Sequence, residues 1–403
     1  MARQLLIAGG GIGGLAAALA CARAGWNVQL HERAPAFAEV GAGIQIGPNV
    51  TRLLHAWGLA ESLTEVAAFP SQLQVRSAVS GRELGVLRLG SSAKERYGAP
   101  YATLHRADLL DLLLAALRQQ TDATLTLDSA VTGFSQTAGR VAVQIQTGSM
   151  LEAELLLGAD GLWGVVRQCL LDDGAPRVTG HVAYRALVPQ AGLPAPLRSQ
   201  HITVWLARGL HVVQYPVRRG EWLNLVGIVQ GGGRVASAPG GRPREAAAAP
   251  GNWDQQTNAR RLYAALVGTC AGLRDLVGSV GQWRRWDLCD RPPLRAADQM
   301  ARGRVALLGD AAHPMRPYLA QGAGMAIEDA AELAHVLARP ELAVDAALRE
   351  YASRRWQRNA RVQARAIRNG QIFHASGLVR AGRDIAMKLM GERLLDLPWL
   401  YGK

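Results

Sequence analysis

The pattern of apolar and polar residues at the start of the chain predicts a strand, a helix and a second strand. Residues 5–8 form an apolar run short enough for a buried strand, and residues 15–23 form a longer run typical of a helix that ends before Gly25. Residues 27–30 predict a second strand, which leads into Glu32. This order is that of a βαβ unit.

Glycines fill the turn between the first strand and the helix in the order G-x-G-x-x-G. Gly9 permits a tight turn, Gly11 lets the backbone approach a pyrophosphate, and Gly14 lets the helix pack against the strand. The N–H groups at the start of the helix attract phosphates. Glu32 stands where an acid accepts hydrogen bonds from ribose hydroxyls. The segment therefore predicts a site for NAD or FAD rather than NADP, and the motif alone does not separate the first two.

Two later apolar runs also lead into an acid. Residues 155–158 run into Asp160, and residues 305–308 run into Gly309-Asp310, followed by the Gly-rich stretch 321–324 and a helical pattern over 325–338. A carboxylate at the carboxyl end of a strand is well placed to accept hydrogen bonds from ligand hydroxyls, and a helix start can face an anion. Both acids are therefore candidate ligand-binding residues.

Composition and charge narrow the class of protein. With 49% hydrophobic and 19% charged residues the chain is globular, and its net charge is +13. The basic residues, nearly all arginine, are spread along the chain, which favours attraction of small anions over a nucleic-acid site. Four widely spaced cysteines predict a reduced, metal-free, cytoplasmic protein. The N-terminal run imitates a signal peptide, but the βαβ interpretation explains more residues, and no other run could span a bilayer.

The order of these motifs resembles that of the class A flavoprotein aromatic hydroxylases, which are FAD-dependent monooxygenases. The resemblance covers most of the chain and implies non-covalent FAD, with NAD(P)H as co-substrate. It implies these cofactor-binding residues: Gly9, Gly11, Ile12, Gly13, Gly14, Glu32, Arg33, Arg106, Val131, Asp160, Asp310, Gly322 and Ala323. The Asp-Gly motif at Asp160, with Arg167, is associated in the family with both FAD and NAD(P)H, and Gly164 stands where many relatives have serine.

The expected fold is α/β, with a discontinuous Rossmann-like FAD-binding domain, a β-sheet substrate domain and C-terminal helices. The FAD-binding domain is predicted at residues 1–70, 102–174 and 295–344, the sheet domain at 71–101 and 175–294, and the helical segment at 345–403. Strand patterns at 201–206, 211–217 and 222–229 support the sheet assignment, and residues 236–251 predict a Pro/Gly/Ala-rich loop.

One predicted strand carries candidate catalytic residues. In residues 211–215 the period of two places His211, Val213 and Tyr215 on one face. The H-x-x-x-Y pattern resembles the hydroxybenzoate 6-hydroxylase and salicylate hydroxylase subgroup, where the matching residues orient or deprotonate the substrate phenol. The resemblance also implies that Pro314 helps to enclose the oxygen site, whereas His313 is interpreted as a residue that fixes the Gly-Asp loop.

The resemblance implies hydroxylation of a small aromatic acid or phenol with O2, through a C4a-hydroperoxide of the flavin. The expected partners are that anionic or phenolic substrate and O2, with no nucleic acid and no integral membrane association, in a monomer or homodimer. Two alternatives stay open: a hydroxylase or oxidase of a lipidic quinone-type substrate, and a non-enzymatic FAD-fold binding module. Substrate-stimulated consumption of NAD(P)H would separate the enzyme from the module.

Overall fold

The computed structural model describes residues 3–37, 42–231 and 255–402, so the loop predicted at 236–251 lies outside the described residues. In chain order the strands are β1 (Gln4–Ala8), β2 (Asn27–His31), β3 (Gly43–Ile46), β4 (Gln72–Ser77), β5 (Glu83–Arg88), β6 (Ala102–His105), β7 (Ala123–Thr126), β8 (Val131–Gln136), β9 (Val141–Ile145), β10 (Met150–Ala153), β11 (Leu155–Gly158), β12 (Arg177–Pro189), β13 (Ile202–Ala207), β14 (Leu210–Val217), β15 (Trp222–Gln230), β16 (Arg284–Asp290), β17 (Ala301–Arg302) and β18 (Val305–Leu307).

The helices alternate with these strands in the first part of the chain and dominate its end. They are α1 (Ile12–Arg23), α2 (Pro48–Ala56), α3 (Ala60–Val66), α4 (Gly90–Tyr97), α5 (Arg106–Arg118), α6 (Val165–Leu171), α7 (Gln255–Ala265), α8 (Ala271–Gly278), α9 (Gly322–Leu337), α10 (Val344–Phe373), α11 (Gly377–Met390), α12 (Glu392–Leu395) and α13 (Pro398–Tyr401). Within the described ranges, none of these helices is both long enough and apolar enough to cross a bilayer.

The chain divides into two compact units, each built from three segments. The first unit comprises Met1–Val40, Ala107–Pro176 and Asp290–Ala366, and the second comprises Gly41–Arg106, Arg177–Cys289 and Ile367–Lys403. The predicted α/β class with a discontinuous Rossmann-like part is confirmed. The sequence assigned residues 41–70 and 102–106 to the FAD-binding domain, whereas the structure groups them with the second unit, where β3 pairs with β6. The C-terminal helical segment is shared between the units.

A six-stranded sheet forms the centre of the first unit, in the order β17-β18-β11-β1-β2-β7. All neighbours from β18 to β7 are parallel, and only the edge strand β17 is antiparallel. The central strands are continuous apolar runs because both faces of a parallel sheet are covered. Parallel strands end at one edge, so the turns after β1, β2, β11 and β18 lie along the same edge.

A close contact between helices α1 and α9 lies next to this edge. A Cβ on Gly13 would stand 2.7 Å from Leu308 Cδ2 and 3.2 Å from the Cβ of Ala326 in α9. Such distances leave no room for a side chain at Gly13, so the glycine allows the start of α1 to lie against α9. The sequence after β1 and the sequence after β18 are thereby brought together.

The second unit contains a seven-stranded sheet in the order β16-β12-β15-β14-β13-β4-β5. One face packs against α7 and α8, where Val212 of β14 and Leu225 of β15 join Leu262 and Leu273 in a buried cluster. The other face contributes Val213 to a second cluster with Met387 of α11 and other side chains. Strand β14 therefore lies inside the sheet, with β15 and β13 as its neighbours.

Candidate functional site

The glycine-rich turn after β1 has the geometry that its sequence predicts. Gly9 has φ +105°, and a Cβ there would stand 2.5 Å from the carbonyl oxygen of Ala159. A Cβ on Gly14 would overlap the carbonyl oxygen of Gly9. By contrast, nothing lies within 4 Å of the Cβ position of Gly11. Protein atoms therefore fill the space around Gly9 and Gly14, whereas the space beside Gly11 is open. Gly11 is the position at which the backbone must approach a bound pyrophosphate.

Helix α1 begins at this turn without a side-chain cap. Its N-cap is Gly11, which has no side chain to accept a hydrogen bond from the first N–H groups, and its first turn contains no acid. The N–H groups at a helix start and the positive end of a 12-residue helix dipole attract an anion. These residues therefore fit the pyrophosphate of a dinucleotide.

Glu32, at the end of β2, lies beside the same turn. Its Oε2 accepts a hydrogen bond of 2.6 Å from the N–H of Gly10, and its Oε1 accepts one of 2.9 Å from Ala34. A carboxylate has further lone pairs, so each oxygen can also accept from a ribose hydroxyl. Arg33, the next residue, is exposed. The N–H of Ser129 donates to the carbonyl oxygen of Glu32, which places Val131, at the start of β8, close to the same turn.

A second uncapped helix start lies after β18. Helix α9 begins at Gly322-Ala323, with no side-chain cap and no acid in its first turn. Asp310 is exposed, and its Oδ1 is 4.0 Å from the Cβ position of Gly322. Because α9 packs on α1 and the strands are parallel, the first unit brings two helix starts and two carboxylates, Glu32 and Asp310, to turns along one sheet edge. A long ligand with separate phosphate, ribose and ring groups fits this arrangement.

Asp160 has a local role that the sequence did not indicate. Its Oδ2 accepts a hydrogen bond of 2.9 Å from the N–H of Val166, which caps α6. A Cβ on Gly164 would overlap the Asp160 carboxylate, so the glycine leaves room for this conformation. Burial raises the pKa of Asp160 to about 6, although the N–H of Val166 and the charge of Arg33 oppose the rise.

This raised pKa makes stability depend on pH. Because folded Asp160 keeps its proton to higher pH than the unfolded chain does, the free energy of unfolding should fall as pH rises from about 4 to 6, by roughly 3 kcal/mol. Asp160→Asn keeps an acceptor for Val166 and should lack this decrease. Denaturant unfolding of the apoprotein at several pH values measures it, with the exposed Asp111→Asn as control. Equal pH slopes for wild type and Asp160→Asn would contradict the assignment.

Arg167 anchors the loop that carries Asp310. It is buried, and its Nη1 donates to the carbonyl oxygens of Ala311 and Ala312 at 2.9 and 2.7 Å, while its Nε and Nη2 donate to Asp173. The family associates the motif of Arg167 with nucleotides, but these hydrogen bonds go to protein atoms. The structure therefore gives Arg167 a positioning role.

A buried ionic network supports the same loop. Asp329 of α9 lies 2.5 Å from Nε2 of His313 and accepts hydrogen bonds of 2.7 Å from Arg355 and 2.9 Å from Asn359. Burial alone would raise the pKa of Asp329, but His313 and Arg355 hold that pKa at about 2. This pairing of His313 agrees with its interpretation as a loop-fixing residue. The carbonyl oxygen of Pro314 is held by a hydrogen bond of 3.0 Å from Gln363. Sequence reasoning did not find Asp329 or Arg355.

The two candidate catalytic residues lie in the second unit, in β14. His211 and Tyr215 share the face of Val213, which points away from α7 and α8. Both side chains are buried. Nδ1 of His211 lies 2.8 Å from Nε2 of His374. Burial raises the pKa of Tyr215, so its hydroxyl stays protonated and can donate a hydrogen bond.

Arg106, a candidate cofactor-binding residue, also belongs to the second unit. It is the first residue of α5, and its N–H donates to the carbonyl oxygen of Ala42.

Comparison with known proteins assigns the chain to a family. Residues 2–366 match the FAD binding domain family. The chain is 38% identical to 3-hydroxybenzoate 6-hydroxylase 1 of Aquipseudomonas alcaligenes, over 100% of this chain and 98% of that protein. It is 36% identical to 3-amino-4-hydroxybenzoate 2-monooxygenase of Streptomyces cremeus, over 99% and 95%. A salicylate hydroxylase substrate complex superposes with a TM-score of 0.80 at 25% identity, covering 99% of this chain and 95% of that one. The chain belongs to the family of FAD-dependent aromatic hydroxylases.

Proposed function

We propose that this flavin-dependent monooxygenase hydroxylates a small, single-ring aromatic acid that carries a ring hydroxyl, with NAD(P)H and O2 as co-substrates. The observation that carries the proposal is β14: a buried neutral imidazole, His211, and a buried protonated phenol, Tyr215, on one sheet face. Whole-chain relatives that hydroxylate benzoic acids favour this function over the lipidic substrate and the binding module.

The cofactor residues of the first unit have defined tasks in this proposal. Bound FAD supplies the redox chemistry, which takes a hydride from NAD(P)H and activates O2. The glycine turn and the start of α1 would hold the pyrophosphate, while Glu32 and Asp310 would accept hydrogen bonds from hydroxyl groups of the ligand. The N–H groups of Gly322 and Ala323, at the positive end of the α9 dipole, would stabilise negative charge on the flavin ring. Ile12, Arg33 and Val131 complete the proposed cofactor set of this unit, and Arg106 of the second unit is proposed from the resemblance alone.

The substrate is held from two ends. Residues four apart along a strand are separated by roughly 13 Å, so His211 and Tyr215 cannot both contact one hydroxyl. We assign the ring hydroxyl to His211, which accepts its proton and thereby raises the electron density of the ring at the carbons that are hydroxylated. Tyr215 donates its O–H to the carboxylate, a hydrogen bond strengthened by the charge of the acceptor. The resemblance assigns Pro314 to the enclosure of the oxygen site and to the exclusion of water there.

A substrate panel tests the proposal directly. Purified protein is mixed with NADH or NADPH and with hydroxybenzoates, aminohydroxybenzoates or hydroxynicotinates, and nicotinamide oxidation is followed by absorbance. We expect at least one hydroxylated acid to stimulate oxidation and to yield a hydroxylated product. Benzoate, which lacks the ring hydroxyl, is the matched control and should yield no product. No stimulation by any member of the panel would refute the proposed substrate class.

The cofactor assignment makes a separate prediction for Asp310. Removal of a carboxylate that hydrogen-bonds the ligand should cost on the order of 1–3 kcal/mol, so Asp310→Ala should bind FAD about one to two decades more weakly. Titration of apoprotein with FAD, followed by flavin fluorescence, measures the dissociation constant. The control is Asp298→Ala, an exposed acid of the same unit. An unchanged dissociation constant for Asp310→Ala would place its carboxylate away from the ligand.

The location of the enzyme in the cell and its oligomeric state form part of the same proposal. A cytoplasmic enzyme agrees with the lack of a disulfide bond among the four cysteines. A monomer or homodimer is proposed from the resemblance alone.

A further inference from the structure

A cleft of about 700 Å³ lies in the second unit, between its sheet and the start of α8. Side chains of β4, β13 and β14 form its floor, and residues 196–201 form another wall. Gln214 of β14 belongs to the floor. Because side chains alternate along a strand, Gln214 points away from the face of Val213 and Tyr215. The cleft is therefore separate from the proposed catalytic face, and its volume is that of an ordinary small-molecule site.

Arg76 of β4 supplies a positive charge on the floor of the cleft. Arg76 is the neighbour of Trp205 in β13, and its guanidinium carbon lies 5.2 Å from the centre of the indole ring. Its Nε donates a hydrogen bond of 3.0 Å to the carbonyl oxygen of Gly81. No carboxylate within the described ranges pairs with Arg76. The guanidinium is thus held in place on one side, and its two Nη groups can donate together to a carboxylate.

Gln214 adds a second, oriented donor. Gln214 is only 7% exposed, and the indole Nε1 of Trp205 donates a hydrogen bond of 3.1 Å to its Oε1. Because an indole N–H can only donate, the atom that faces it is the amide oxygen, which leaves Nε2 as the donor. In the described part of the chain, no acceptor contacts this Nε2. Arg76 and Gln214 both contact the same indole, so their N–H groups lie near one another on the floor.

The walls of the cleft are partly apolar. Leu276 of α8 is buried, and Leu197 packs against the same core cluster. The other charged residues of the lining are Arg198 and Asp275, both of which are exposed. The guanidinium of Arg198 donates to backbone carbonyl oxygens, so Arg76 is the arginine that keeps unused donors. The cleft thus combines a cationic, donor-rich floor with aliphatic walls.

We propose that this cleft binds a small carboxylic acid with an apolar body, at a site separate from that of the substrate. The carboxylate accepts hydrogen bonds from the Nη groups of Arg76 and from Nε2 of Gln214, and the apolar body lies against Leu197 and Leu276. Hydrogen bonds to a charged group are about twice as strong as neutral ones, which favours an ionised acid over an amide or an alcohol. The inference does not rest on the proposed function, because it uses no side chain of the catalytic face.

Benzoate is the probe, and the indole of Trp205 reports on the cleft. Holoenzyme labelled with 5-fluorotryptophan is titrated with benzoate and followed by 19F NMR, with Trp205→Phe used to assign the signal. We expect the Trp205 signal to shift and to saturate, whereas the signal of Trp163, an exposed residue of the first unit, should not move. Benzamide, which has the same shape without the charge, should bind about 10–100-fold more weakly.

Substitutions of Arg76 separate this cleft from any other site for benzoate. Arg76→Gln removes the charge and should raise the dissociation constant measured at Trp205 about 10–100-fold. Arg76→Lys keeps the charge but not the paired donors, so its loss should be smaller. Arg82→Gln removes an exposed arginine of the turn after β4 and is the matched control, which should bind as wild type does. A Trp205 signal that does not move, or equal dissociation constants for Arg76→Gln and wild type, would overturn the proposal.

A structure of wild-type holoenzyme with 4-bromobenzoate gives a test that needs no substitution. Anomalous scattering locates the bromine, which we expect beside Leu197 and Leu276, with the carboxylate on Arg76. Bromine found only outside the cleft would overturn the proposal. Failure of the substrate panel would refute the proposed function and leave this result unchanged, so the two proposals fail separately.

Discussion

Replacing His211 with alanine is expected to slow hydroxylation by roughly 10²–10⁴-fold, the usual range for a lost acid–base partner, and to leave FAD bound. The imidazole lies in the second unit, whereas the glycine turns and carboxylates proposed for FAD are nearly all in the first. Without the base the ring hydroxyl keeps its proton, and the ring remains a poor nucleophile. NAD(P)H oxidation should continue, with its reducing equivalents released as H2O2.

The ratio of product formed to NAD(P)H consumed measures this effect, because it separates lost hydroxylation from lost flavin reduction. Tyr215→Phe is the comparison on the same strand face. It removes one hydrogen bond to a charged group, worth about 1.5–3 kcal/mol, so it should act mainly through KM. A wild-type ratio of product to NAD(P)H in His211→Ala, together with a wild-type KM in Tyr215→Phe, would show that the two residues are ordinary sheet side chains.

Replacing Asp329 with alanine should lower the free energy of unfolding of the first unit by about 3–5 kcal/mol, because it breaks a buried ionic network. Asp329 is fully buried, and the change removes one carboxylate partner from His313 and one from Arg355, which keeps its ion pair with Glu328. Its low pKa also means that the carboxylate stabilises the fold above the pKa of an unfolded Asp, and that this contribution is lost as pH falls towards about 2. Loss of the network should loosen the loop of Asp310 and weaken FAD binding.

Denaturant unfolding followed by circular dichroism measures the loss. Glu332→Ala, on the same helix, removes a partly exposed ion pair with Arg354 and should cost no more than about 1 kcal/mol. Equal stability losses in Asp329→Ala and Glu332→Ala would contradict the importance of the buried network.

Local sequence patterns predicted the elements that form the first unit. The runs that lead into Gly9, Asp160 and Asp310 are strands β1, β11 and β18, because a fully buried parallel strand must be apolar throughout and a turn at its end requires glycine. Helix α9 begins at Gly322, three residues before the predicted start, since glycines weaken the helical signal in its first turn.

Contacts between distant segments could not be predicted in this way. His211 and His374 are 163 residues apart, and His374 follows a helix whose pattern of arginines indicates only a solvated face. The Asp329–Arg355 pair lies on two helices that each resemble ordinary amphipathic segments. Segment 41–70 joins the second unit through the antiparallel pairing of β3 with β6, which no local period encodes. Such pairings arise from the folded topology rather than from any single stretch of sequence.

Incorporation of 18O2 shows directly whether the enzyme hydroxylates an aromatic acid with oxygen from O2. Holoenzyme is supplied with NAD(P)H and the panel acid that stimulates oxidation most, under 18O2, and the product is analysed by mass spectrometry. We expect a product that gains one hydroxyl on its ring, with that oxygen derived from O2 and with close to one NAD(P)H consumed per product. Oxygen derived from water, or NAD(P)H consumption that yields only H2O2 with every acid, would show that the enzyme is not a hydroxylase of these acids.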